Sequence, residues 1–322
     1  MNICLITPAR LGKKAGNSVT AVRWASILRE LGHEVVIAHE YRDEPADVAI
    51  ALNAYRSANA IEAFRQRHSD RPLVVALTGT DLYRFRHSHA RVTERSMELA
   101  DRLLVLNRLS HKAVPKSERE KLFLIYESAR PLSGPRKPSV RSFDVCVIGH
   151  LRDEKDPLRT AHAVRDLPEE SRIRVLHYGA AHTSTWARRA EKEMQRNRRY
   201  HWMGEVAHWR VRRALSRCQL MTLTSIMEGG PNVLSEAVVA GVPVISSNID
   251  GAVGVLGESY PGYFPVGDTK ELRRRLVQAE TDPIFVQQLE RHVMREAPRF
   301  SRQREKARWA ELLEAVGSGA GG

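Results

Sequence analysis

Residues 224–247 read TSIMEGGPNVLSEAVVAGVPVISS, and this stretch sets the fold. Just before it, Leu220 to Leu223 is a short apolar run of the kind that forms a strand buried on both faces. Glu228, Gly229, Gly230, Pro231 and Asn232 follow in one loop. Val233 to Val239 has the pattern of a helix carrying Glu236. Gly241 ends that helix, and Val242 to Ile245 opens the next buried strand.

The chemistry of the loop points to an anion. Adjacent Gly229 and Gly230 let the backbone approach a ligand and reach unusual φ values. The helix that follows offers the backbone N–H groups of Asn232, Val233 and Leu234 and a partial positive charge, which suit a phosphate or diphosphate. A carboxylate does not bind phosphate, but it accepts hydrogen bonds from vicinal hydroxyls. Glu236 therefore suits a ribose and Glu228 a sugar ring. Phosphate donors between two hydroxyl acceptors describe a nucleotide-sugar site.

The rest of the chain repeats the pattern. Apolar runs at 3–7, 35–38, 48–52, 73–77, 103–106 and 122–125 alternate with helical patterns at 18–31, 61–68 and 91–100. That alternation predicts an α/β domain with a mainly parallel sheet. Residues 128–142, SARPLSGPRKPSVRS, hold three prolines and read as a linker. The pattern then restarts with strands at 143–148, 173–178, 201–203 and 220–223. Helices are expected at 157–165, 184–195, 211–217, within 268–297, and at 301–316. The predicted division is a first domain over 1–130, a linker over 131–142 and a second domain over 143–300.

Length and composition narrow the function. The 322 residues suffice for two domains of ordinary size. No apolar run approaches the roughly 20 residues that span a bilayer, so no integral membrane contact is expected. The N-terminal MNICLITPARLG lacks the basic start and cleavage site of a signal peptide. Cys4, Cys146 and Cys218 sit in or beside apolar runs, as reduced core thiols of a cytoplasmic protein do. No residues have metal-ligand spacing, so no metal or cofactor is expected. The net charge of +13 steers anions toward the protein. Much of it lies in helical runs such as RRAEKEMQRNRR (188–199), where a solvated face accounts for it. No nucleic-acid partner is expected, since no recognition motif is present and few aromatics are available for base stacking.

Other residues carry chemistry. The restart strand leads into Gly149, His150, Leu151, Arg152, Asp153, Glu154, Lys155 and Asp156. Arg152 and Lys155 at a strand's carboxyl end can neutralise charge developing on a departing diphosphate without a metal. His150 stands beside them. In the first domain, GKKAGNSVT (12–20) is glycine-rich and basic and leads into a helix. Lys14, Gly16, Asn17 and Ser18 offer an anion charge, backbone N–H groups and short polar side chains, and Asn17 or Ser18 can equally cap the helix. In LTGTD (77–81), Thr80 and Asp81 follow a buried strand, and Asp81 is open to two roles, capping a helix or binding the acceptor.

The spacing Glu228-x7-Glu236, with EGG inside it and EA-x3-G-x-P-V-I after it, resembles the signature of retaining GT-B glycosyltransferases. The resemblance implies two Rossmann-like domains facing across a cleft, a final helix that crosses back onto the first domain, and metal-independent transfer. It implies that Arg152, Lys155 and Glu228 are catalytic. It also implies that Gly204, Glu205 and Val206, in the segment after Trp202, read the nucleotide base, and that the 12–20 loop serves phosphate or acceptor. One departure stands out: TGTD replaces the His-Gly-x-Asp that many members carry, which suggests an unusual acceptor. TPAR-x3-K-x-GNSVTAVRWASILRELGHEV (7–35) with VALTGTDLYR (75–84) is similar to the selenosugar synthases of bacterial selenoneine biosynthesis. That resemblance implies a UDP-sugar donor, UDP-N-acetylglucosamine foremost, and selenophosphate as the small anionic acceptor. A conventional transferase with a hydroxyl acceptor and a non-catalytic basic binding module remain open beside it.

Overall fold

The computed structural model describes residues 1–8 and 16–317, and the chain divides into two compact units. The first takes Met1–Glu127 and regains the chain from Arg302. The second is Ser128–Ser301.

In the first unit, β1 (Asn2–Ile6), β2 (Glu34–Ala38), β3 (Val48–Leu52), β4 (Leu73–Ala76), β5 (Arg102–Val105) and β6 (Leu122–Leu124) form one parallel sheet. Their order is β2-β1-β3-β4-β5-β6. The crossovers carry α1 (Gly16–Glu30), α2 (Ala58–Arg67), a single turn α3 (Arg86–Ser88) and α4 (Ala90–Leu99). Every residue of β3 and β4 is buried, which explains their unbroken apolar runs: both faces are covered. The strand period of two sends alternate side chains to opposite sides. Ile3, Leu5, Ile50 and Val74 pack on one side with Trp24 and Leu28 of α1. Cys4, Ala49, Ala51 and Val75 pack on the other with Ile61, Phe64 and Met97.

The final helix belongs to this unit. In the second unit's chain order come β7 (Phe143–Ile148), α5 (Arg159–Val164), β8 (Ile173–Tyr178), α6 (Ser184–Arg196), β9 (Tyr200–Trp202), α7 (His208–Arg217), β10 (Leu220–Leu223), α8 (Asn232–Val239), β11 (Val244–Ser247), α9 (Asp250–Leu256), β12 (Tyr263–Phe264), α10 (Thr269–Thr281) and α11 (Pro283–Glu296). After them, α12 (Arg302–Gly317) returns to α1, where Trp24 and Trp309 meet edge to face at 5.0 Å. Beneath that contact, Arg23 pairs with buried Glu127 and lies 3.6 Å from buried Glu305. Burial pushes the Glu127 carboxyl above its ordinary range, against the opposing pull of Arg23.

The second sheet is also parallel, in the order β12-β11-β10-β7-β8-β9. Caps mark its later helices: Asp268 accepts from the Glu271 N–H, and Asp282 caps α11 with Pro283 at the first position. Asp282 thus splits the expected 268–297 helical region in two. Helix α9 and strand β12 carry no period long enough to read from sequence. Gly241 takes φ +65° just past α8, as a helix stop requires. The proline-rich residues expected to form a linker are fastened to the second unit. Lys137 N–H donates to Ser216 O at 2.8 Å and Ser139 N–H to Arg217 O at 3.1 Å. The Arg136 guanidinium donates to the carbonyls of Cys218 and Gly241 and to Glu290. Among the described residues, no helix is long and apolar enough to cross a membrane.

Candidate functional site

Each sheet has one place where successive crossovers depart in opposite directions, and crevices at the carboxyl end of such a switch bind ligands in open α/β sheets. In the second unit the switch lies between β7 and β10. The segments leaving those strands are 149–156 and 224–232, the two stretches the sequence singled out.

They are fastened together. The Thr224 hydroxyl donates to the carbonyls of Lys155 and Asp156, at 3.0 Å each, and Ile226 N–H donates to Glu154 O at 2.8 Å. Lys155 Nζ forms an ion pair with Glu228 Oε1, which also accepts from the Ser225 hydroxyl at 2.7 Å. Both charged side chains are mostly buried, at 18% and 11% exposure. A half-buried pair of this kind holds its geometry far better than a surface pair. Arg152 adjoins this turn, its Nε 3.9 Å from Glu154, with its side chain about one-third exposed. His150 accepts from Ala180 N–H through Nδ1 at 3.1 Å and faces His182.

Helix α8 begins at Asn232 beside this pair, with no side-chain cap at Pro231. Glu236 lies in the second turn of α8 and accepts from His208 Nε2 at 3.2 Å. That hydrogen bond raises the His208 pKa above its ordinary value, against a smaller opposing effect of burial. The structure alters several expectations here. Gly229 and Gly230 do not have positive φ; their value is the absence of side chains, not an unusual backbone. The Leu234 side chain is fully buried, so only its backbone can face a ligand. Gly204 has φ +65°, and its carbonyl accepts from Gly179 N–H at 2.8 Å, while Glu205 is exposed and Val206 half-buried.

In the first unit the switch lies between β1 and β3. Lys14, with the rest of 9–15, lies outside the described residues. Helix α1 starts at Gly16, so Asn17 and Ser18 occupy its first turn and are not its cap; Ser18 is buried. Asp81 is also buried completely. Its carboxylate accepts from the N–H and hydroxyl of Thr78, at 2.8 and 2.9 Å, and from Tyr55 N–H at 3.1 Å. Asp81 reaches back three residues to the Thr78 N–H, as one half of a capping box does, while the Thr78 hydroxyl donates to it in turn. Asp81 thus shapes the Thr78–Thr80 turn and cannot itself touch an acceptor. Burial raises its pKa to about 6, against these hydrogen bonds.

The model of the family described as glycosyl transferases group 1 matches residues 135–299, just over half of the chain. The chain belongs to this family. No curated protein sequence matches it. Among solved structures, the chain is similar to Anabaena HepE in complex with UDP, with 17% identity and a TM-score of 0.78, covering 98% of this chain and 100% of that one. It is likewise similar to sucrose-phosphate synthase from Thermosynechococcus elongatus, with 14% identity and a TM-score of 0.82, covering 98% and 99%. The likeness is one of fold, the GT-B type with two six-stranded parallel sheets.

For a group 1 glycosyltransferase, two positions that sequence reading passed over matter. Gly251, in the first turn of α9, lies directly on the Glu228 carbonyl, and a Cβ there would penetrate it. Gly179 stands in the same relation to the Gly149 carbonyl, which also accepts from His177 Nε2 at 3.0 Å. Asn53 was missed too. It follows β3 with φ +70°, an uncommon conformation for a non-glycine residue. The sequence signal, an Asn at a strand end, is too common to single it out.

Proposed function

We propose that this glycosyltransferase takes a UDP-sugar, UDP-N-acetylglucosamine foremost, and transfers the sugar to selenophosphate, forming a carbon–selenium bond. The Lys155–Glu228 pair beside the start of α8, at the switch point of the second sheet, carries the donor half of this reading. The solved complexes of HepE with UDP and with UDP-glucose support it by analogy. The acceptor half rests on the first-domain sequence, 7–35 and 75–84, and on threonine hydroxyls where many family members carry a histidine.

In this mechanism the diphosphate lies on the 229–234 segment, the α8 N-terminus and Arg152. Lys155 exchanges Glu228 for a β-phosphate oxygen as negative charge develops there, which frees Glu228 for the sugar hydroxyls. Fixed cationic and N–H donors of this kind stabilise a leaving group without a metal. Glu236 holds the ribose. The C1–O bond breaks, the electron pair leaves with UDP, and selenium supplies the pair for the new C1–Se bond. Selenophosphate is already anionic, so no strong general base is needed. Retention of configuration follows the family pattern.

The test is mass spectrometry on UDP-N-acetylglucosamine with selenophosphate, thiophosphate or phosphate in parallel. A selenium-bearing sugar and UDP, formed only with selenophosphate, is the expected outcome. UDP-sugar binding with transfer to a sugar hydroxyl instead discards the acceptor and keeps the donor. Failure to bind any UDP-sugar overturns both halves.

A further inference from the structure

The first unit places a hydroxyl network at the carboxyl ends of β3 and β4, and its protons can be counted. Asn53 is 1% exposed. Its Oδ1 accepts from the Arg56 N–H at 2.8 Å, and a backbone N–H can only donate. The amide nitrogen is therefore the end that faces the threonines, where it donates to Thr78 Oγ1 at 2.8 Å and Thr80 Oγ1 at 3.2 Å. The Thr78 proton goes to Asp81 Oδ2. Asp81 is then filled by the N–H groups of Thr78 and Tyr55.

One proton has a choice of acceptor. Thr80 Oγ1 receives the Asn53 amide, so its own O–H is free to donate, either to Thr78 Oγ1 at 3.1 Å or outward. Unlike Asn53 and Asp81, Thr80 is only half-buried. The Asn53 carbonyl is occupied and the Asp81 carboxylate is buried and filled, so the turn offers a ligand a hydrogen-bond donor and no vacant carboxylate. Asn53 reaches this position through its left-handed backbone, and such a conformation persists only where the surroundings enforce it.

From this arrangement we infer that the Thr80 hydroxyl, its oxygen held by the Asn53 amide, turns its proton from Thr78 to an oxygen of an anionic acceptor, and that the site selects acceptors arriving already ionised. Thr80 is the binding residue and Asn53 a positioning residue. The inference rests on the acceptor half of the proposed function and adds to it the reason for selectivity. A neutral hydroxyl acceptor would need a base at this turn, and the Asp81 carboxylate there is buried and filled.

The experiment is calorimetric titration of inorganic thiophosphate into the full-length, UDP-loaded protein. The wild type is expected to bind. Thr80→Val, which keeps the shape, weakens thiophosphate at least tenfold, since a hydrogen bond to a charged group is lost. Thr80→Ser restores binding to within about threefold, since it keeps the donor. Asn53→Gly tolerates the left-handed backbone but lacks the amide, and weakens binding with little change in thermal stability. Asn53→Asp draws the Thr80 proton inward and abolishes binding. UDP affinity stays constant throughout. No thiophosphate binding by the wild type, unchanged binding by Thr80→Val, or equal loss of UDP affinity overturns the inference. Selenosugar formation is read separately. Thr80-dependent binding without any selenosugar discards selenophosphate as substrate and keeps the anion site. Selenosugar made by Thr80→Val at an unaltered acceptor KM discards the site and keeps the function.

Discussion

Gly251 sits so close to the Glu228 carbonyl that a single added methyl must displace one of them. Close approach of backbone to backbone is a reason for glycine apart from any φ requirement. Gly251→Ala is therefore expected to shift Glu228 and lower turnover by at least about tenfold, with a smaller effect on UDP affinity; steady-state kinetics beside UDP titration checks it. Glu236→Ala is expected to weaken UDP binding, and Arg152→Ala to lower turnover by roughly a hundredfold, as loss of one transition-state donor does. Full activity in both variants would overturn the site. His208 adds a pH dependence. Its pKa is raised, first by the hydrogen bond to Glu236, so the charged pair exists below that pKa and is lost as pH rises through it. In the proposed complex, protonated His208 would compete with the ribose for Glu236. Affinity for UDP-N-acetylglucosamine, measured from pH 8 to 6, should fall toward acid, and His208→Asn should flatten the profile.

Among the elements, the candidate site stands where strands end and helices begin, and the stiffness of those junctions comes from cross-links. Thr224 ties the loop after β10 to the turn after β7. Arg136 ties the proline-rich segment to the ends of α7 and α8. Helix α12 is the corresponding support in the first unit. Trp309 is fully buried against Trp24, so Trp309→Ala should cost about 3–5 kcal/mol in the stability of that unit. Denaturant unfolding followed by tryptophan fluorescence would measure it, and a change below about 1 kcal/mol would mean that α12 contributes little. Element types along 143–148, 173–178 and 220–223 were legible because buried parallel strands are predominantly apolar, here with Asp144, Arg174, His177 and Thr222 as interruptions. Helix α9 and strand β12 were not, since seven and two residues hold too little periodicity. Nor was the docking of 128–142. Proline and glycine content reports local stiffness, whereas the fastening comes from carbonyls some 80 residues away.

For the whole molecule, burial of neutral histidine links stability to pH. His177 lies under the β7 carboxyl end between Gly149 O and the Tyr200 hydroxyl, and burial pushes its pKa down to about 4. The unfolded chain takes up that proton near pH 6.5, so the stabilisation is complete above this value and is lost as pH falls toward 4. The loss amounts to roughly 3 kcal/mol. Denaturant midpoints between pH 7 and 4.5 should show it, and an unaltered slope in His177→Gln would assign the acid sensitivity elsewhere. Asp81, with its raised pKa, acts in the opposite sense in the first unit, because protonation below about pH 6 relieves a buried charge.

Sequence alone was enough for the two parallel α/β units and the strand-to-helix loops at 149–156 and 224–232, and it supplied the residue types on which the proposed site rests. These follow from local periodicity and from chemistry within short spans. Which partners those residues keep came only from the tertiary structure: Lys155 on Glu228, His208 on Glu236, Asp81 on its own turn, the Asn53 amide on the Thr80 oxygen. Each of these contacts except the Asp81 turn joins residues far apart in the chain. Their geometry is set by strand order and register, which no single stretch of sequence contains.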